Sequence, residues 1–204
     1  MNLLENDRIL SIMKERILVT GGTGYIGSHT VVELQNSGYD VVIVDNLSNS
    51  SADVVDNIEK VSGIRPAFEK LDCLDFEGMD KLFTKYPGIK GIIHFAASKA
   101  VGESVQKPLL YYRNNLVSLI NLLELMPKHG VEGIIFSSSC TVYGQPDVLP
   151  VTEEAPIKKA ESPYGNTKQI NEEIIRDTVA SGSPINAIML RYFNPIGAHP
   201  TALI

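Results

Sequence analysis

The chain has 204 residues, a length that predicts one or two domains. Its 18 Lys and Arg residues against 24 Asp and Glu residues give a formal net charge of −6, which argues against nucleic-acid binding because that function needs a concentrated basic face. The chain has only two cysteines, which excludes a disulfide scaffold. No apolar run approaches the ~18 residues of a membrane span. We therefore expect a cytoplasmic protein without a membrane partner.

Short apolar runs alternate with longer amphipathic stretches along the chain. The runs are continuously apolar, as strands covered on both faces of a parallel sheet are. Repeated strand–helix–strand order predicts the α/β class, a doubly wound, Rossmann-like parallel sheet with helices on both faces. The predicted strands are 17–20, 41–45, 65–71 (weaker), 91–96, 133–137 and 185–191, and the predicted helices are 24–37, 50–61, 77–86, 105–129 and 163–181.

Two stretches stand out from this alternation. Residues 1–14 precede the first strand and are predicted to be a leader, which leaves 15–204 as the domain. The segment 116–126 is apolar at eight of eleven positions, so its helix is expected to bury two faces. One face would cover the sheet, and the other would meet a second subunit or another helix.

A glycine-rich turn follows the first predicted strand. Gly21, Gly24 and Gly27 are spaced three apart between a strand and a helix. Glycine there lets the backbone approach a pyrophosphate, whose charge is met by free N–H groups at the helix start. A plain glycine-rich turn is the alternative, but a suitably placed acid and the strand–helix context favour dinucleotide binding.

The acid is Asp45, at the end of the second predicted strand. A carboxylate there accepts hydrogen bonds from both hydroxyls of an adenosine ribose and repels a 2′-phosphate. The following residues 46–49 hold no Arg or Lys to attract that phosphate, which favours NAD over NADP. The alternative is that Asp45 only caps a helix or orders a turn.

A second group of reactive side chains lies downstream. Ser162 and Pro163 predict a helix start, which puts Tyr164 and Lys168 on one helical face. A neighbouring ammonium is expected to lower the phenol pKa from its usual value near 10, so that Tyr164 can act as a base. A solvated helix pair is the alternative, but the serines 137–139 end a strand at the rim where ligands bind.

Three strings, at residues 94–105, 137–144 and 191–199, make the chain resemble the extended short-chain dehydrogenase/reductases, and among them the nucleotide-sugar 4-epimerases. The resemblance covers residues 15–198. It implies an NAD-dependent enzyme of galactose metabolism that interconverts UDP-glucose and UDP-galactose by oxidation at C4, through a 4-keto intermediate and re-reduction. It also implies a homodimer. No metal site is expected, because His29, His129 and His199 are scattered without metal-site spacing.

The resemblance assigns roles residue by residue. Tyr164 is the implied base for the sugar 4-hydroxyl, Lys168 lowers its pKa and binds the nicotinamide ribose, and Ser139 binds O4 of the sugar. The implied substrate contacts are Lys99, Ser139, Tyr164 and Asn194. The implied cofactor contacts are Gly21, Gly24, Tyr25, Ile26, Gly27, Asp45, Asn46, Leu47, Ser48, Asn49, Ser50, Asp72, Cys73, Phe95, Ala96, Ala97, Lys99, Asn114, Tyr164, Lys168 and Phe193.

Related chemistries and lengths leave alternatives. Nucleotide-sugar 4,6-dehydratases carry Thr-Asp-Glu where this chain has Ser139, Cys140 and Thr141, so the acid–base pair for elimination is missing. Members of the resembled family continue past the motif ending at His199 into a smaller domain that binds uridine and sugar, and we expect that domain to be largely missing from this chain. A truncated NAD-binding module without turnover, or another nucleotide-sugar short-chain dehydrogenase/reductase, are the open alternatives.

Overall fold

The computed structural model describes residues 14–204, so the predicted leader lies outside the described residues except for Lys14. One parallel sheet forms the centre, with strand order β3-β2-β1-β4-β5-β6. The predicted doubly wound α/β fold is confirmed, and its strand order reverses direction between β1 and β4, where such sheets bind ligands. The strands are β1 Arg16–Thr20, β2 Asp40–Asp45, β3 Ala67–Lys70, β4 Ile89–His94, β5 Gly133–Ser139 and β6 Asn186–Tyr192.

The helices lie on both faces of the sheet. They are α1 Tyr25–Asn36, α2 Asp53–Ser62, α3 Phe76–Lys85, α4 Val101–Gln106, α5 Pro108–Lys128 and α6 Pro163–Ala180, with a short 3₁₀ helix at Cys140–Tyr143. The single helix predicted over 105–129 is wrong at its start. The chain breaks at Lys107, with φ −129° and ψ 56°, because a proline at 108 disfavours helical backbone in the residue before it.

The core has two layers because successive strand residues point to opposite faces. Leu18 and Val42 pack on one face with side chains of α3, α5 and α6. Val19 and Ile43 pack on the other face with side chains of α1 and α2. This two-sided burial explains why the strands are continuously apolar in the sequence.

Helix α5 buries one apolar face fully. Leu119, Leu122 and Met126 have no exposed area. Val117 and Ile120, on the remaining apolar surface, are 37% and 36% exposed within the single chain. The second face is therefore only partly covered by the described part of this chain. None of the described helices combines the length and the apolarity that a membrane crossing requires.

Candidate active site

The glycine turn joins β1 to α1 and is closely packed against its neighbours. Gly21 has φ +69°, and an added Cβ there would lie 2.7 Å from the backbone nitrogen of Ala96. A Cβ at Gly27 would lie 2.2 Å from the Gly21 oxygen, whereas one at Gly24 would meet only that oxygen, at 3.2 Å. Among the described residues, no side chain caps the N-terminus of α1. The turn thus leaves helix N–H groups and an open side at Gly24 for an anionic group.

Asp45 lies at the carboxyl end of β2 and orders the loop that follows. Its buried carboxylate accepts hydrogen bonds from the Thr23 backbone N–H at 3.2 Å, the Leu47 N–H at 2.9 Å and the Ser50 hydroxyl at 3.2 Å. Leu47 is held at φ +60°, in the left-handed region. Asp45 therefore does order a turn, and a carboxylate retains further acceptor capacity for a ligand hydroxyl.

The segment after β3 is tied to this loop. The side-chain amide of Asn46 donates to the Asp72 carboxylate at 2.9 Å, so the predicted ribose and adenine segments lie together. The neighbouring Cys73 is buried, and burial, with the Asp72 and Asp45 charges, raises the pKa of its thiol to about 12. Its backbone oxygen accepts from Asn121 at 2.9 Å. Cys73 is thus a packing residue with a protonated thiol.

The loop after β4 crosses the end of β1. The Phe95 N–H donates to the Thr20 carbonyl at 3.0 Å, and the Ala96 N–H lies 3.4 Å from the Thr20 hydroxyl. That hydroxyl is also 2.7 Å from His94 Nδ1. Burial, and secondarily the Lys168 charge, lowers the pKa of His94 to about 3, so the ring is neutral. His94 therefore serves packing and positioning beneath the loop.

Asn115 of α5 fixes the same loop and was missed in the sequence. Its side chain accepts from the Ser98 N–H at 2.8 Å and donates to the Ser98 carbonyl at 3.0 Å. It also donates to Thr167 at 3.1 Å, and Thr167 donates to the Tyr164 carbonyl at 2.7 Å. Asparagine is unfavourable inside a helix, so two consecutive asparagines in a predicted helix were an available signal.

Helix α6 presents Tyr164 and Lys168 where the sequence places them. Ser162 caps the helix by accepting from the Gly165 N–H at 3.1 Å, with Pro163 in the first turn. Lys168 is only 3% exposed, which rules out a solvated helix pair. Its ammonium donates to the Ser137 carbonyl at 2.7 Å. The candidate base and its cation therefore stand beside the end of β5.

The pKa of Tyr164 differs from the expectation. Burial raises it above its usual value near 10, and the Ser139 hydroxyl acts in the opposite direction without prevailing. Burial also lowers the pKa of Lys168 to about 8. The expected lowering by Lys168 is not found because its ammonium is directed at the Ser137 carbonyl rather than the phenol oxygen.

Three further predicted residues, Lys99, Phe193 and Asn194, are exposed. Phe193 is 58% exposed and lines a cavity of about 540 Å³ with Tyr143 and residues 151–153 and 189–192. This cavity adjoins the 3₁₀ helix that follows Ser139. Lys99 and Asn194 are exposed, and no hydrogen bond within the described part of the chain ties them to the other site residues. Residues 14–204 hold no group of metal-ligating side chains.

Comparisons with known proteins agree with this architecture. Residues 17–204 match the model of the NAD dependent epimerase/dehydratase family. The chain is 52% identical over 188 residues to the UDP-glucose 4-epimerase of Bacillus subtilis, covering 92% of this chain and 55% of that protein. The relative from Dictyostelium discoideum is 51% identical over 190 residues, with 93% and 55% coverage. The chain thus spans about half the length of the curated relatives it matches.

A solved structure shares the fold in detail. The UDP-glucose 4-epimerase of Bifidobacterium longum, solved in complex with NAD+ and UDP, superposes with a TM-score of 0.90 at 47% identity. The match covers 93% of this chain and 56% of that one. By sequence and by fold, the chain belongs to the NAD dependent epimerase/dehydratase family.

Proposed function

We propose that this chain forms the cofactor-binding and catalytic part of a UDP-glucose 4-epimerase, which interconverts UDP-glucose and UDP-galactose. The observation that carries the proposal is the arrangement of the glycine turn, Asp45, Ser139, Tyr164 and Lys168 along the carboxyl edge of one parallel sheet. Relatives of that name, matched along nearly all of this chain, support it.

The edge has the features that NAD requires. The uncapped start of α1 and the open side of Gly24 suit a pyrophosphate, and Asp45 suits the adenosine ribose. Asp72 and Cys73 would flank the adenine. The loop 95–99, Asn114 and Phe193 would lie toward the nicotinamide half of the cofactor. When bound, oxidised NAD supplies a hydride acceptor and a positive ring charge that favours a nearby phenolate.

Tyr164 would accept the proton of the sugar 4-hydroxyl as hydride leaves C4, and return it after the 4-keto sugar turns over. Its burial holds the phenol protonated in the free chain, so it depends on added positive charge. Lys168, with a pKa of about 8, is mostly an ammonium at neutral pH and contributes such a charge. Ser139 would hydrogen-bond to O4 of the sugar.

The substrate side of the site is open. The cavity beside β6 includes Phe193, and Asn194 and Lys99 are exposed. Because the chain spans about half of its relatives, a second candidate is an NAD-binding module that lacks turnover on its own.

A homodimer belongs to the proposal. Val105 of α4 is 62% exposed, Leu109 of α5 is 81% exposed, and Val117 and Ile120 of α5 are partly exposed. Apolar patches of this kind mark interaction surfaces. A cytoplasmic location rests on Cys73 and Cys140, which are both unpaired.

The function is tested with a chimaera. Residues 14–204 are joined to the part of the Bacillus subtilis relative that lies beyond the matched region, and conversion of UDP-galactose to UDP-glucose is measured with NAD. We expect turnover within about tenfold of the intact relative, since a tenfold loss corresponds to only 1.36 kcal/mol of barrier. A soluble, NAD-binding chimaera without conversion would contradict the proposed function.

A further inference from the structure

A fully buried carboxylate lies behind the candidate site and has no part in the proposed chemistry. Glu172 of α6 is 0% exposed. It stands one helical turn beyond Lys168, on the same face of α6. A buried acid is costly unless it is paired and hydrogen-bonded, so its partners show what it holds in place.

Its partners come from three different elements. The Ser138 hydroxyl of β5 donates to Oε1 at 2.6 Å, and Arg191 of β6 donates from Nε to Oε1 at 2.9 Å and from Nη2 to Oε2 at 2.8 Å. Arg176, on the next turn of α6, donates to Oε2 at 2.6 Å. Burial acts to raise the pKa of Glu172, but these donors outweigh it and leave that pKa below its usual value. The acid is therefore a fixed anion.

Arg191 extends the cluster to the cavity wall. Its Nη1 donates to the Tyr143 hydroxyl at 2.9 Å, and its guanidinium lies 4.8 Å from the centre of the Tyr143 ring. Both residues line the cavity beside β6. All three guanidinium nitrogens of Arg191 thus donate hydrogen bonds within the protein, and these bonds fix the orientation of the side chain.

Each partner is next to a candidate reacting or binding residue. Ser138 precedes Ser139, and Arg191 lies two residues before Phe193. Pinning the Ser138 side chain fixes the rotation of the strand end, and hence the direction in which Ser139 points. Without Glu172, the hydrogen bonds from α6 to these two strand ends would be reduced to the one that Lys168 donates to the Ser137 carbonyl of β5, and the end of β6 would keep none.

We propose that Glu172 is a positioning residue that, through Ser138 and Arg191, sets the Ser139 hydroxyl against Tyr164 and the rim of the cavity against α6. The proposal rests on the proposed function, because that function gives Ser139 and Tyr164 their roles. A purely stabilising ion pair would lower the melting temperature when broken and leave the environment of the Tyr164 phenol as it is.

The test measures the Tyr164 phenol in the 204-residue chain labelled with [¹³C]tyrosine. The Tyr164 signal is assigned by its loss in Tyr164→Phe and is titrated from neutral pH to above pH 10, with circular dichroism confirming the fold at each point. The Ser139 hydroxyl acts to lower the pKa of Tyr164, so Ser139→Ala is expected to raise the midpoint by about half a pH unit or more.

Glu172→Gln and Ser138→Ala are each expected to raise the midpoint by a similar amount, and to add nothing when combined with Ser139→Ala. The matched control is Glu69→Gln, the same change in an acid of β3 that is bonded to Lys85 and Tyr86. It should leave the titration midpoint of Tyr164 unchanged. Should Glu172→Gln fail to fold, Ser138→Ala decides, since it keeps the ion pair with Arg191.

The proposal is overturned if Tyr164 titrates unchanged in folded Ser138→Ala and Glu172→Gln, or if either shift adds fully to that of Ser139→Ala. Failure of the proposed function is seen separately, as absent NAD binding by the unaltered chain. The titration of Tyr164 does not depend on that result.

Discussion

The ammonium nitrogen of Lys168 lies 5.8 Å from the centre of the Tyr164 ring, yet it donates its hydrogen bond elsewhere, to the carbonyl of Ser137. It also lies 4.8 Å from the centre of the Phe136 ring. The cation is thus held below the candidate base by backbone and aromatic contacts. This arrangement fixes the charge near the ring without committing it to the phenol oxygen.

The buried ammonium predicts a pH dependence of stability. Because the pKa of Lys168 is about 8 in the folded chain and near 10.5 when unfolded, the unfolded state binds more protons between these values. Lys168 should therefore add up to about 3 kcal/mol to the free energy of unfolding between pH 8 and pH 10, partly offset by Cys73, whose raised pKa acts in the opposite sense above pH 9. Urea unfolding of the chain and of Lys168→Met measures it.

Between pH 8 and pH 10 the free energy of unfolding of the chain should therefore increase relative to that of Lys168→Met, and it should keep step with that of the exposed control Lys60→Met. The range stops at pH 10 because the raised pKa of Tyr164 acts in the opposite sense above it, where the folded state binds more protons. An equal rise in the chain and in Lys168→Met would show that Lys168 titrates normally.

Asp45 predicts cofactor selectivity. The chain should bind NAD at least about tenfold more tightly than NADP, since a carboxylate hydrogen-bonds to ribose hydroxyls and repels a 2′-phosphate. Asp45→Ala should weaken NAD binding and remove most of the preference, also because the loop 46–50 loses its anchor. Isothermal titration calorimetry with both nucleotides measures the two effects.

The matched control for this variant is Asp56→Ala, on the exposed surface of α2, where the side chain pairs with Arg65. It should bind both nucleotides as the unaltered chain does. Equal or tighter binding of NADP by the unaltered chain would rule out the assigned role of Asp45.

The glycine turn predicts a difference between two glycine-to-alanine changes. A Cβ at Gly27 would lie 2.2 Å from the Gly21 oxygen, so Gly27→Ala should displace the turn, lower stability by about 1–3 kcal/mol and weaken NAD binding. Gly102→Ala in α4 meets nothing within 4 Å and should stabilise by up to about 1 kcal/mol. Thermal melts and calorimetry on both variants test this, and tight NAD binding by Gly27→Ala would refute the close-packed turn.

The sequence predicted the sheet well because strands that are buried on both faces consist of unbroken apolar runs. It predicted α6 for a similarly local reason, the Ser162 cap and Pro163. The division between α4 and α5 was also local, at Pro108, but the apolar pattern continued across it and concealed the break.

The depth to which the site side chains are buried, and their long-range hydrogen-bond partners, could not be predicted from the sequence. Whether the pKa of Tyr164 is raised or lowered depends on how far the ring is buried, and the spacing of residues in the sequence does not reveal that. Glu172 meets Ser138 and Arg191, which are 34 and 19 residues away, only because strand order brings β5 and β6 under α6. The site residues themselves stay predictions until ligand binding and turnover are measured.

The 204-residue polypeptide, made by itself, should bind NAD but show negligible epimerase activity. Orientation of C4 over the nicotinamide draws on contacts to remote parts of the substrate, and the cavity beside β6 is open with Phe193 and Asn194 exposed. A coupled assay with UDP-galactose and NAD measures it. Turnover within tenfold of the Bacillus subtilis relative would place the whole substrate site within this chain.

The central claim is that Tyr164 is the base of a 4-epimerase reaction, and its most direct test is the turnover number of the chimaera carrying Tyr164→Phe. That variant keeps the ring and loses the proton acceptor, so UDP-galactose conversion should fall by at least about 10²-fold, the loss typical of a missing general base. Tyr86→Phe, the same change at a tyrosine bonded to Glu69 away from the site, should leave turnover as it was. Conversion by Tyr164→Phe within about threefold of the unaltered chimaera would contradict the account.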